Sequence, residues 1–223
     1  MNFAGLKPGF SMEKAHKAQL HLSGLIVFED RLPREIRYVA GVDTAYVGDL
    51  AISATAVLDF KNLNLVEAQT ATRKVAFPYV PTLLSFRELP PTLACVKKLK
   101  AQPDVFLVDG QGFAHPYRCG FASHFGVVLG KPAIGVAKSR LVGEVEPFQN
   151  KDFVYLRDKG EIIGAVLKTA AGKVLYISVG HMVSLETAVK IVRHCIKRGG
   201  VPEPIRLAHE MATAERNRIA RGG

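Results

Sequence analysis

The chain has 223 residues, 48% hydrophobic and 22% charged, a balance that fits a soluble globular fold and excludes a disordered one. No apolar run reaches the ~18 residues a membrane helix needs, and the N-terminal stretch lacks the apolar core of a signal, so a cytoplasmic protein with no membrane association is expected. The formal net charge of +10 favours polyanionic partners, because Lys and Arg neutralise phosphates and release counterions.

In chain order, Ser11 caps a helix that begins Met12-Glu13-Lys14 and continues towards Leu25. "IRYVAGVDTAYV" reads as a strand, and "AISATAVLDF" and "NLVEAQTATRKV" as two more. Their short links predict an antiparallel meander. "FPYVPTLLSFRELPPTLACVKKL" reads as a helix entered at Pro81, with Leu83, Leu84, Phe86 and Leu89 at helical spacing. Pro90-Pro91 should break or restart it. "DVFLVD" is a buried strand, "ASHFGVVLG" a helix and "PAIGVAKS" a second strand, which together make a parallel crossover unit.

"DFVYLRDKGEIIGAVLKTAAGKVLYISVGH" follows as three strands, turned at Asp158-Lys159-Gly160 and Ala170-Ala171-Gly172. "SLETAVKIVRHCIKRGG" is a helix capped by Ser184 and stopped by Gly199-Gly200. A last helix is entered through Pro202 and Pro204. Its end carries Arg216, Arg218 and Arg221, which suit either phosphate contact or a solvated helix end. The fold class expected is α/β: a mixed sheet of three antiparallel strands followed by parallel ones, flanked by helices. No repeat or Pro/Ser-rich linker divides the chain, so a single domain over residues 1–223 is expected, as a monomer. Cys95, Cys119 and Cys195 are odd in number and lack metal spacing, which argues against a disulfide framework or a zinc site.

Three acids stand out. Asp43 lies within an apolar strand, Asp109 ends one, and Glu88 sits on the helix between them. Taken singly, Asp109 suits a turn, Asp43 an ion pair and Glu88 a solvated helix face. Taken together, neighbouring carboxylates beside a buried sheet repel one another unless a cation joins them. Mg²⁺ prefers such oxygen ligands. The order of an Asp on the first strand, a helical Glu and an Asp on the following strand resembles that of ribonuclease H-like nucleases. "DGQG" is neither a GxGxxG fingerprint nor a P-loop, so a nucleotide-cofactor enzyme is a poor reading.

The segments "YVAGVDTAY", "FPYVPTLLSFRELP", "DVFLVDGQGFAHPYRCGFASHFG", "IGVAKSRL" and "EPIRLAHEMA" together make the chain similar to the endonuclease V family from about Tyr38 to about Met211. That resemblance implies a ribonuclease H-like fold and a nuclease using Mg²⁺, or Mn²⁺ in its place. It also implies DNA containing deoxyinosine as substrate, cut at the second phosphodiester bond 3′ to the lesion to leave 3′-hydroxyl and 5′-phosphate ends. By the same resemblance, Asp43, Glu88 and Asp109 form the metal site and His209 assists it. Lys138 stands near the phosphates, and Tyr79 is the wedge that enters the duplex, between the stiffening Pro78 and Pro81.

Candidates for the pocket of a flipped base are Leu84, Gly110, Gly112, His115, Phe121 and Leu141, with Arg140 as a phosphate contact. Phe121 departs from the smaller aliphatic side chain of the family pattern. Inosine-containing RNA is the alternative substrate, and a non-catalytic nucleic-acid-binding module is the alternative of another class.

Overall fold

The computed structural model describes residues 11–75, 77, 79–80, 82–149, 151–197 and 200–222. The first helix, α1 (Met12–Ser23), starts as expected, with the Ser11 side chain accepting from the Lys14 N–H. The meander follows as β1 (Tyr38–Val47), β2 (Leu50–Asp59) and β3 (Leu65–Lys74), paired antiparallel in that order. Next come α2 (Leu84–Val96), β4 (Val105–Asp109), α3 (Phe121–Leu129) and β5 (Ala133–Ala137). Gly130 closes α3 in the left-handed conformation that a C-cap favours, at φ +65°. β4 pairs parallel with both β1 and β5, which is the expected crossover unit.

The remaining elements are β6 (Glu144–Val145), β7 (Phe153–Asp158), β8 (Glu161–Lys168), β9 (Val174–His181), α4 (Leu185–His194) and α5 (Glu203–Arg221). All nine strands described form one sheet, ordered β3-β2-β1-β4-β5-β9-β8-β7-β6.

The mixed α/β class holds, but its parallel part is narrower than expected. It is confined to β1, β4 and β5, and from β9 to β6 every pairing is antiparallel. The reason is the length of the links: turns as short as Asp158–Gly160 and Ala170–Gly172 can only return a strand antiparallel to its neighbour. The two-residue β6 was not anticipated.

A second correction concerns Pro90 and Pro91, which lie inside an unbroken α2. Packing outweighs propensity here. The face Ser85, Glu88, Leu89, Pro91, Thr92 and Cys95 is buried, and Leu89 joins Ala40, Val42 and Val57 in one core cluster. α4 ends at His194, earlier than the glycine stop implied. Pro78, Pro81 and Gly199 lie outside the described residues, so their expected roles are not described.

Strand alternation sorts the core into two layers. Val39, Val105 and Leu107 point to one side with Val189, Val192, Ile205 and Ala208 of α4 and α5. Ala40, Val42, Phe106 and Val108 point to the other, with Leu89 of α2 and Phe121, Ala122 and Phe125 of α3. Gly41 lets α5 approach β1 closely: a Cβ there would lie 2.0 Å from the Pro204 carbonyl carbon. Cys95, Cys119 and Cys195 are buried free thiols. Among the described residues, no helix is long and apolar enough to cross a membrane.

Candidate active site

Register brings the acids together. Val42 pairs with Val108 across the parallel β1–β4 ladder, one residue before Asp43 and Asp109 respectively. Both carboxylates therefore leave neighbouring strands at the same level. Asp43 is met by His209 of α5, whose Nδ1 donates to Oδ2 at 2.7 Å. The close seating of α5 on Gly41 delivers that contact. Asp109 accepts from Lys138 Nζ at 2.5 Å, just beyond the end of β5. Glu88 reaches in from α2, is only 7% exposed, and accepts from the Tyr46 hydroxyl at 2.9 Å. The Arg87 guanidinium stacks over the Tyr46 ring, 4.4 Å from its centroid.

The electrostatics are those of acids short of positive charge. Burial pushes the Glu88 carboxyl up to about 8, and the charges of Asp43 and Asp109 push the same way. Asp43 is also raised, first by burial and then by Asp109, with the His209 hydrogen bond opposing. The three acids thus feel one another across a shared space. As the side chains stand, no group of three or more His, Cys, Asp or Glu among the described residues is gathered closely enough to hold a metal ion. Each acid is turned to its own partner instead.

The donor set still fits a hard divalent cation. It offers carboxylate oxygens alone, the Asp43 and Glu88 carboxyls are raised by burial and then by neighbouring acids, and two of the partners, Lys138 and His209, have half-exposed side chains.

Beside the acids a cavity of about 350 Å³ opens, within the usual size of small-ligand pockets. Leu84, Gly110, His115, Phe121 and Leu141 line it, together with Tyr79, Arg140, Asp109 and Lys138. The acids and the cavity therefore share Asp109 and Lys138. Gly112 is the exception: it is not part of the wall. A Cβ there would meet the Val179 carbonyl oxygen at 2.3 Å, so this glycine serves the packing of the loop on β9.

Tyr79 is 69% exposed at the rim, where a ring can engage a partner. Phe121 is 3% exposed and packs against Phe125, so its larger ring is absorbed by the core as well as by the wall. Burial pushes the His115 imidazole down to about 4 and keeps it neutral. Its Nδ1 accepts from the Tyr117 N–H.

Four features went unread in the sequence. Tyr46 bonds Glu88, and Thr82, Ser85 and Gln111 line the cavity. The Ser85 hydroxyl and the Gln111 side-chain oxygen are buried with no hydrogen-bond partner among the described residues. Ser85 and Gln111 stand inside the two motifs quoted above, and that placement was the available signal.

The endonuclease V family model matches residues 21–210. Endonuclease V of Thermofilum pendens is 47% identical over 211 residues, which is 94% of this chain and 90% of that protein. The crystal structure of endonuclease V from Streptomyces avermitilis superposes with a TM-score of 0.88 at 34% identity, covering 94% of this chain and 95% of the other. That of Ciona intestinalis endonuclease V, in complex with a 24mer DNA containing an inosine followed by a ribo-adenosine, superposes with a TM-score of 0.83 at 32% identity, covering 93% and 98%. With the match running over most of its length, the chain belongs to the endonuclease V family and is a nuclease.

Proposed function

We propose that the protein incises DNA containing deoxyinosine in a reaction that needs a divalent cation, Mg²⁺ or Mn²⁺. The cut falls at the second phosphodiester bond 3′ to the lesion and leaves 3′-hydroxyl and 5′-phosphate ends. The observation that carries this reading is the juxtaposition of three neighbouring carboxylates, two of them raised by burial and by the other acids, with a base-sized cavity, the acids and the cavity sharing Asp109 and Lys138. Family membership and the relative bound to inosine-containing DNA support the choice of lesion.

Asp43, Glu88 and Asp109 would hold the cation. When bound, it supplies the Lewis acidity that polarises a phosphate and acidifies water. The chain's own groups do the rest. With Nδ1 committed to Asp43, His209 presents Nε2 outward as a proton acceptor for attacking water. Lys138 exchanges Asp109 for phosphate oxygen and meets charge as it develops there. Tyr79 enters the base stack at the rim, and the flipped base enters the cavity.

The test is a strand-resolved cleavage assay on inosine, uracil, abasic and undamaged DNA, beside matched inosine RNA, with Mg²⁺, Mn²⁺ or chelator. Incision of inosine DNA at the stated bond, abolished by chelator, is expected. Cleavage of RNA without DNA would reassign the substrate. No incision with any metal would leave only a binding module.

A further inference from the structure

Thr82 lies on the cavity wall with a φ of +74°. A β-branched residue rarely adopts that left-handed conformation. The Leu83 N–H donates to the Val80 carbonyl at 3.0 Å, so Thr82 is the third residue of a closed turn, where a positive φ usually calls for glycine. Something else must hold this turn.

The holder comes from α1. Gln19 is fully buried, and its side-chain amide donates twice, to the Thr82 carbonyl at 2.7 Å and to the Cys119 carbonyl at 3.0 Å. Both partners are carbonyl oxygens, so only the nitrogen can face them, and the amide's orientation is fixed. Its own oxygen is buried with no partner, which shows that the two N–H groups are what the site uses. His16, one turn earlier, has Nε2 3.4 Å from the Thr82 hydroxyl and stacks on Tyr117 at 4.0 Å between centroids. The backbone of Thr82 also bonds to His115.

The turn bearing Thr82 follows Tyr79 and precedes Leu84, while Cys119 precedes Gly120 and Phe121, all of which line the cavity. Gln19 therefore ties together two walls that have no covalent link nearby.

We propose that Gln19 is a positioning residue that pins Thr82 in its left-handed conformation against Cys119 and so sets the width of the cavity. The inference rests on the reading above that this cavity takes the flipped base.

Gln19→Met keeps the volume and removes both donors. Steady-state incision of inosine DNA should show KM raised about tenfold, with kcat within about twofold, the size of effect expected when a buried hydrogen-bonding clamp is lost. Adding Thr82→Gly should bring KM back to within about threefold of wild type, because glycine holds a positive φ unaided. A side chain that merely fills space predicts no such rescue. An unchanged KM in Gln19→Met, or no recovery in the double variant, overturns the proposal. Should Gln19→Met not fold, Gln19→Asn shortens the reach by one methylene and is read the same way.

Hydrogen exchange at the Leu83 amide separates this inference from the functional one. It should be faster in Gln19→Met and slowed again by Thr82→Gly, whether or not inosine DNA is cut. Unaltered exchange overturns the clamp, whereas a wild-type protein that does not cut inosine DNA overturns the function alone.

Discussion

Arg118 sits between Asp158 and Glu161 and donates to each at 2.8 Å. The two acids surround one guanidinium, and their attraction raises its pKa against the effect of burial. At the acid ends of β1 and β4 the pairing is less complete. Lys138 bonds Asp109 and His209 bonds Asp43, while Glu88 bonds the Tyr46 hydroxyl with the Arg87 charge nearby, and the carboxyls of Asp43 and Glu88 are pushed up by burial and by the neighbouring acids. Both clusters cost desolvation to assemble. In the first each acid is bonded directly to the guanidinium, which is what a structural cluster needs. In the second Glu88 is bonded to a neutral hydroxyl and two carboxyls are pushed up, which marks a site built to receive a cation or a reacting group.

The sharpest test of this contrast is Asp109→Asn. If the acids are retained for chemistry, incision should fall by about 10²–10³-fold, the scale of losing one charge-stabilising group. The thermal midpoint should stay level or rise, since a repulsive charge has been removed. A lowered midpoint with incision intact would make this cluster structural, like the other.

Two buried histidines, His115 on the cavity wall and His124 on α3, behave differently again, because they are kept neutral. His115 and His124 are both pushed down to about 4 from the ordinary 6.5, in each case by burial first. The unfolded chain therefore takes up protons at these positions between about pH 6.5 and about pH 4 while the folded chain does not. Stability rises with pH across that window and is lost as pH falls through it, by an amount on the order of 3 kcal/mol per histidine at the acid end. Denaturant titrations from pH 7 to pH 4 measure this. His124→Phe should flatten the slope, and an unchanged slope would mean that the ring is already protonated in the fold.

How much of this could be read beforehand differs between the halves of the sheet. The meander and the β4–α3–β5 crossover were legible because their apolar runs have the period and length of buried strands. The identity of the acids was legible because their order along the chain is tied to strand, helix, strand. The exchange of parallel for antiparallel pairing beyond β5 was also encoded, in the two tight turns, but the crossover unit was extended past its end.

Other features have no local signature. Pro90 and Pro91 argue against the helix they occupy, and only tertiary packing reverses that. Glu88 beside Arg87 reads as a solvated acid until α2 is laid on the sheet. A positive φ at Thr82 contradicts its residue type, so the turn and its holder Gln19 emerge only in three dimensions. Gln19 did carry a faint signal, since it falls four residues after the buried Ala15 on the inner face of α1.

Tyr79 stands at the exposed edge of the cavity and contributes nothing to either charge cluster. Tyr79→Ala should weaken binding to inosine DNA by about tenfold or more, consistent with the ~1–3 kcal/mol of an aromatic ring stacked on a base. Its folding stability should move by no more than about 0.5 kcal/mol, because the ring is solvent-facing. Equal affinity for lesion DNA, measured by fluorescence anisotropy, would remove the wedge from the mechanism and leave the cavity to select the base alone.

The smallest effect is expected on the balanced side. Asp158→Ala removes one of two acids from Arg118, and both side chains of that pair are about one-fifth exposed. That places the pair between a solvent-screened bridge worth little and a buried one whose breakage is severe. Glu161 still neutralises the guanidinium, so the loss in folding free energy should be about 1 kcal/mol. Incision per folded molecule should not change. Paired with Asp109→Asn, this variant gives opposite signatures from the same kind of substitution: stability without activity on one side, activity without stability on the other. A drop in incision above about tenfold for Asp158→Ala at unchanged stability would show that local charge balance does not separate structure from function in this fold.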